Sequence, residues 1–151
     1  MKFEKFFKKI GTHGLIVKRA NGEMWLTGDG VGMLIPSGVN NLGASVEPND
    51  VFKAIVNSES DDDILTLSDA ILLEPDGKAN DIVRIFQTDE GDRIGIYNAH
   101  YGLIEKRDIL TYLEIETTDN TGESHIERFI VIRKADGTPI GFISEAFGWA
   151  K

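Results

Sequence analysis

Cysteine is absent from this chain. That excludes disulfides, thiolate metal ligation and a cysteine nucleophile, and it fits a reducing compartment. Long apolar runs are missing too: nothing approaches the ~20 residues that span a bilayer. The start, Met1-Lys2-Phe3-Glu4-Lys5, lacks the continuous apolar stretch of a secretory leader. Together these absences lead to the expectation of a cytoplasmic protein without a membrane span.

Positive charge is scarce, with 16 Lys and Arg against 25 Asp and Glu and a net charge of −9. A field of that sign makes nonspecific nucleic-acid binding an unfavourable expectation, because such binding works by neutralising phosphates. The scarcity is uneven. Residues 1–20 hold six basic residues against Glu4 alone, a net of +5, while the rest of the chain holds 10 basic and 24 acidic residues, a net of −14.

Catalytic motifs are also lacking. His13, His100 and His125 lie far apart and none sits in a HExxH pattern, so no metal site is expected. There is no Gly-x-Ser-x-Gly nucleophile elbow. Gly28-Asp29-Gly30-Val31-Gly32 is glycine-rich, but a phosphate loop needs a helix N-terminus after it. A strand is expected there instead, which makes the cluster a tight turn. Glu114 and Glu116 share one face of a predicted strand and read as a solvated face. Asp61-Asp62-Asp63 lacks the alternating ligands and central glycine of a calcium loop. No cofactor is implied.

What is present is enough for one domain: 151 residues, 41% hydrophobic and 27% charged. Phe3, Phe6, Phe7 and Ile10 fall at i, i+3, i+4 and i+7, the spacing of one helical face, with Lys2, Lys5, Lys8 and Lys9 around it. Residues 1–10 therefore read as a basic helix that docks through its Phe face, with Gly11 as a C′ stop. Docking on the same chain is the first expectation, and a partner protein or a membrane surface is the other.

From Leu15 the period becomes two. Leu15–Ala20, Asn21-Gly22 and Glu23–Thr27 predict a hairpin on a two-residue type I′ turn, with Lys18 opposite Trp25 and Val17 opposite Leu26. Val31–Ile35 follows as a strand, completing a first unit over 14–35. Residues 36–63 are loop-rich, with a short helix near 48–57 and an exposed acidic run from Ser58 to Asp63. Residues 64–145 read as successive antiparallel strands. The last hairpin, across Asp136-Gly137, pairs Val131 with Phe142 and Ile130 with Ile143. It is apolar on both faces, so it must be central, covered by a second sheet and by the N-terminal helix. The likeness of residues 130–137 to 15–22 has no fixed period and reads as shared hairpin grammar.

The expected fold is mainly β: an antiparallel sandwich or barrel built from hairpins, with a short N-terminal amphipathic helix and one further short helix. The expected function is a non-enzymatic interaction or assembly module, such as a structural component of a virion or mobile element, that binds a protein partner or itself. Phe3, Phe6 and Phe7 are its candidate interaction residues. One alternative is a small-ligand binder or enzyme with a loop-built site at Asn98, His100 and Tyr101, where an amide, an imidazole and a phenol close a strand. Another is an acidic nucleic-acid mimic acting as an inhibitor.

Overall fold

A computed structural model describes residues 1–11, 13–39, 43–59, 63–72 and 82–146. Helix α1 spans Phe3–Ile10. Strands β1 (Leu15–Lys18), β2 (Met24–Gly28), β3 (Val31–Leu34) and β4 (Ser45–Val46) follow, and then helix α2 (Asp50–Val56). The second half contains β5 (Thr66–Leu72), β6 (Ile82–Gln87), β7 (Arg93–Tyr97), the single-turn helix α3 (Asn98–Tyr101), β8 (Ile109–Thr118), β9 (Ser124–Arg133) and β10 (Pro139–Ser144). The fold is mostly β, with the strands in two sheets and no closed barrel.

The larger sheet runs β4-β1-β2-β3-β10-β9-β8, and the smaller runs β5-β6-β7. Pairing is antiparallel except for β4, a two-residue strand that joins β1 in parallel. On one side of the large sheet, Ile16, Leu26, Ile130, Ile132 and Ile143 meet Phe86, Ile94 and Ile96 of the small sheet. On the other side, Val17, Trp25, Val131 and Phe142 meet Phe52, Ile55 and Val56 of α2. The β9–β10 hairpin is thus covered on both faces, as its double apolar pattern requires. The cover differs from expectation. Helix α2 closes the face away from the small sheet, and α1 shares the small sheet's side, where Phe6 and Ile10 join the first core. The reason lies in α2 itself. Its capping Asn49 accepts the Phe52 amide at 2.8 Å, and three bulky side chains then point one way, where Phe52 meets Trp25 edge-on at 5.4 Å.

The hairpin loops hold a second correction. Around Asn21-Gly22, the Gly22 amide donates to Arg19 O at 3.0 Å and the Arg19 amide to Glu23 O at 2.8 Å. Only Gly22 of that pair has positive φ. This is a three-residue loop, a type I turn closed by a left-handed glycine, rather than a type I′ turn. The register moves by one, so Trp25 stands opposite Val17 and Lys18 opposite Met24. The same loop recurs at Thr88–Asp92, Asp119–Glu123 and Lys134–Thr138, which accounts for the similarity between residues 15–22 and 130–137. At the last of these, a bulge near Ile140 restores the expected pairs Val131–Phe142 and Ile130–Ile143. Among the described residues, a type I′ turn occurs instead at Asp29-Gly30, with φ of 56° and 76°, inside the glycine cluster. Gly32 serves a different end there, since a Cβ on it would overlap the Phe142 ring of the neighbouring strand.

Two further expectations change. Gly11 is right-handed at φ −55°, so it extends the last turn of α1 instead of reversing it. Within the acidic run, Ser58 and Asp63 are half-buried and tied to the body. Asp61 and Asp62 lie outside the described residues.

Candidate functional site

The sequence pointed to two places, and the fold sets them side by side. Residues 98–101 form α3, a helical turn at the end of β7 rather than an open loop. Each polar side chain there has an intramolecular partner. Asn98 Oδ1 accepts from Arg84 Nε at 2.9 Å. The Arg84 guanidinium lies 4.9 Å from the Tyr101 ring centroid, a cation–π arrangement. His100 is buried, and its Nε2 stands 3.3 Å from Asp29 Oδ2 in the type I′ turn. Its Nδ1 is buried without a partner. Burial pushes the His100 pKa below 6.5, Asp29 opposes that shift, and Lys9 adds to it.

Helix α1 docks directly against this region. The Lys2 amide donates to Leu103 O at 2.8 Å, Lys5 Nζ reaches Gly102 O at 3.3 Å, and the Met1 ammonium rests on Asp108 at 2.8 Å and Glu105 at 3.2 Å. The three phenylalanines separate. Phe6 is 1% exposed, Phe3 is half-buried, and Phe7 is 41% exposed. At about 100° per residue, Phe6 and Ile10 centre the buried stripe and Phe7 lies about 80° from that centre. A groove of about 990 Å³ opens along the uncovered flank of α1, lined by Phe3, Phe7, Lys2, Lys5 and Lys8, with Pro36 and Val39 opposite. Glu4 and Glu105 also border it.

Several residues of consequence carry no local sequence signal. Arg133 is 2% exposed. Its guanidinium donates to Thr111 Oγ1 (3.1 Å), Ser58 O (3.0 Å), Gly137 O (3.1 Å), Ser58 Oγ (2.8 Å) and Glu59 O (3.1 Å). It pins the segment after α2 to the sheet and to the last turn. In sequence it is one more basic residue at a strand end. At the tip of β8–β9, Asp119, Glu123 and His125 converge, with donor atoms within 4.8 Å of one another. Asp119 Oδ1 caps the turn through Thr121 and Glu123, and Oδ2 meets His125 Nε2 at 2.8 Å. These bonds, with Thr121 first, hold the Asp119 pKa down at about 2.

Beyond Tyr112 and Phe129, strands β8 and β9 leave the cover of the small sheet, while Leu113 and Ile115 still pack against the α2 core on the other face. Residues 114, 116, 118 and 124–127 are exposed. This part forms a two-stranded arm with Glu116 opposite Ile126 and Ile115 opposite Glu127. No helix among the described residues is long and apolar enough to cross a membrane. No protein-family model, curated protein or solved structure matches the chain.

Proposed function

We propose that this chain is a non-enzymatic docking module, and that the groove beside α1 accepts an acidic segment carrying apolar side chains. The observation that carries this reading is the splitting of the Phe face. Phe6 holds the helix to its own body, and that leaves Phe7 and part of Phe3 facing a large groove bordered by three lysines. Aromatic side chains in a partly desolvated groove with cationic neighbours have the composition of an interaction hot spot. Lysines around them favour an acidic partner through steering and register more than through raw affinity.

The test uses fluorescein-labelled peptides that alternate Glu and Ile, titrated with the protein and followed by anisotropy. The expected result is saturable binding that weakens with salt and falls at least about tenfold in the Phe7→Ser/Lys8→Glu variant. Both substitutions are at exposed positions, so the variant should keep its circular dichroism and melting temperature. Absence of binding to the wild-type chain sinks the reading. A second reading rests on the unpartnered Nδ1 of His100, as part of a small-ligand site with Asn98 and Tyr101. Its sign would be a ligand that shifts His100 ring resonances and leaves those of Phe7 unmoved.

A further inference from the structure

The α1 groove is open, and among the described residues the outer part of the β8–β9 arm is exposed on the face that carries Ile126. We propose that they are one contact, in which the arm of a second copy of this chain occupies the groove. The inference rests on the docking reading of the groove and adds the identity of its partner.

Three features match. The first is charge. The arm from residue 113 to 127 contains Glu114, Glu116, Asp119, Glu123 and Glu127 and no Lys or Arg. The α1 segment from residue 1 to 9 contains Lys2, Lys5, Lys8 and Lys9 against Glu4. Glu105, the other acid on the groove, is bound by the Met1 ammonium and Arg107.

The second is the placement of apolar surface. Cross-strand partners share a sheet face, so Ile126 stands on one face of the arm with Glu116 opposite it and Glu114 beside it. Ile126 is 55% exposed. An isoleucine flanked by carboxylates complements a phenylalanine flanked by lysines. The base of the arm is secured on that same face, where Arg128 reaches Glu114 at 3.4 Å and Glu145 at 3.5 Å, so the arm is presented in a defined direction.

The third is reach. Six residues of strand extend about 20 Å, long enough to lie along a helix of eight residues, which is about 12 Å long. A contact of this size belongs to the small class of interfaces, so the association should be weak and sensitive to salt. Because donor and acceptor are different parts of the surface, each copy can give an arm and accept another, which makes the contact heterologous.

That geometry sets the experiment. One variant, Phe7→Ser/Lys8→Glu, loses the acceptor and keeps the donor. A second, Glu116→Lys/Ile126→Ser, loses the donor and keeps the acceptor. Solution mass is measured by sedimentation for wild type, for each variant alone and for their equimolar mixture, at protein concentrations up to about 1 mM. Circular dichroism is recorded for each as a check on folding. The wild type should self-associate at 0.1 M salt and dissociate at 1 M, where the screening length falls from about 10 Å to about 3 Å. Each variant alone should be monomeric, and the mixture should regain a dimer through the one intact pairing. A wild type that stays monomeric, variants that still associate, or a mixture that stays monomeric would each overturn the proposal. If the wild type is monomeric but still binds the Glu/Ile peptides in the groove, the second copy is the wrong partner and the docking reading stands. If peptide binding is lost as well, the reading falls with it.

Discussion

Strand β9 is one uninterrupted ten-residue element with two fates. From Phe129 to Arg133 every residue is buried, and from Ser124 to Glu127 every residue is exposed. Both halves pair with β8 in a continuous register. The ladder hydrogen bonds are therefore common to both, and the difference lies in what covers the faces. The inner half has α2 on one side and the small sheet on the other. The outer half has neither, and its composition follows: Ile130, Val131 and Ile132 inside give way to His125, Ile126 and Glu127 outside. A two-stranded ribbon is marginal alone, so the arm, whose β9 residues 124–127 are exposed among the described residues, borrows its order from the sheet that anchors it. The same division runs through α1, where Phe6 belongs to the body and Phe7 to the surface.

The comparison breaks if burial is not what separates the members of each pair. The largest effect is expected at Phe6, which is 1% exposed. Phe6→Ala should lower unfolding free energy by about 3–5 kcal/mol. Phe7→Ala, one residue away, should cost less than about 1 kcal/mol. Urea denaturation of both variants checks this, and equal losses would mean that α1 does not dock as described. On β9, Ile130→Ala should cost about 2–5 kcal/mol, whereas Ile126→Ala should stay within about 0.5 kcal/mol in the isolated chain. Next in size is Arg133→Met. It keeps the apolar stem but leaves the part-buried acceptors of Ser58, Glu59 and Gly137 and the buried Thr111 hydroxyl without their donor, for a loss of about 3 kcal/mol. Hydrogen exchange should speed up first in the segment after α2, which Arg133 holds down. A variant that melts like the wild type would show that water replaces the guanidinium freely.

The legible part of the fold follows from local grammar. The strands expected over residues 64–145 are present as β5 to β10, and the β9–β10 pairs Val131–Phe142 and Ile130–Ile143 are present as the double apolar pattern demands. The turn geometry at Asn21-Gly22 was not legible. The dipeptide suits two loops of different length, and the choice depends on how Val17 and Trp25 pack beneath α2. Which helix covers which face was also hidden, because an apolar stripe specifies that it must be buried and not against what. Arg133 escaped notice for a related reason: a buried arginine differs from a surface one only through acceptors brought from residues 58, 59, 111 and 137. Of the candidate ligand residues, Asn98, His100 and Tyr101 are neighbours in the sequence, but their engagement by Arg84 and Asp29 depends on a strand and a turn distant in the chain.

The smallest expected effect concerns His100, where α1, α3 and the Asp29 turn meet. Desolvation is the main influence on the ring and lowers its pKa; the Asp29 carboxylate counters it in part, and Lys9 reinforces it. The folded protein therefore favours the neutral imidazole. Its proton belongs on Nε2, where Asp29 can accept it, because Nδ1 faces no acceptor. Above the ordinary value of 6.5 both folded and unfolded chains hold this histidine neutral, and it contributes no slope. As pH falls below 6.5, the unfolded chain takes up a proton that the folded chain declines, so stability drops until the lowered folded pKa is passed. The other titratable groups are shared by wild type and variant, so a difference between the two isolates the ring. His100→Gln should thus flatten the fall in melting temperature just below pH 6.5 relative to wild type, whatever its offset at neutral pH. Two melting curves that descend in parallel through that window would show that His100 is protonated as readily in the fold as outside it. In that case the ring would reach solvent, and the argument that burial holds it neutral beside Asp29 would fail.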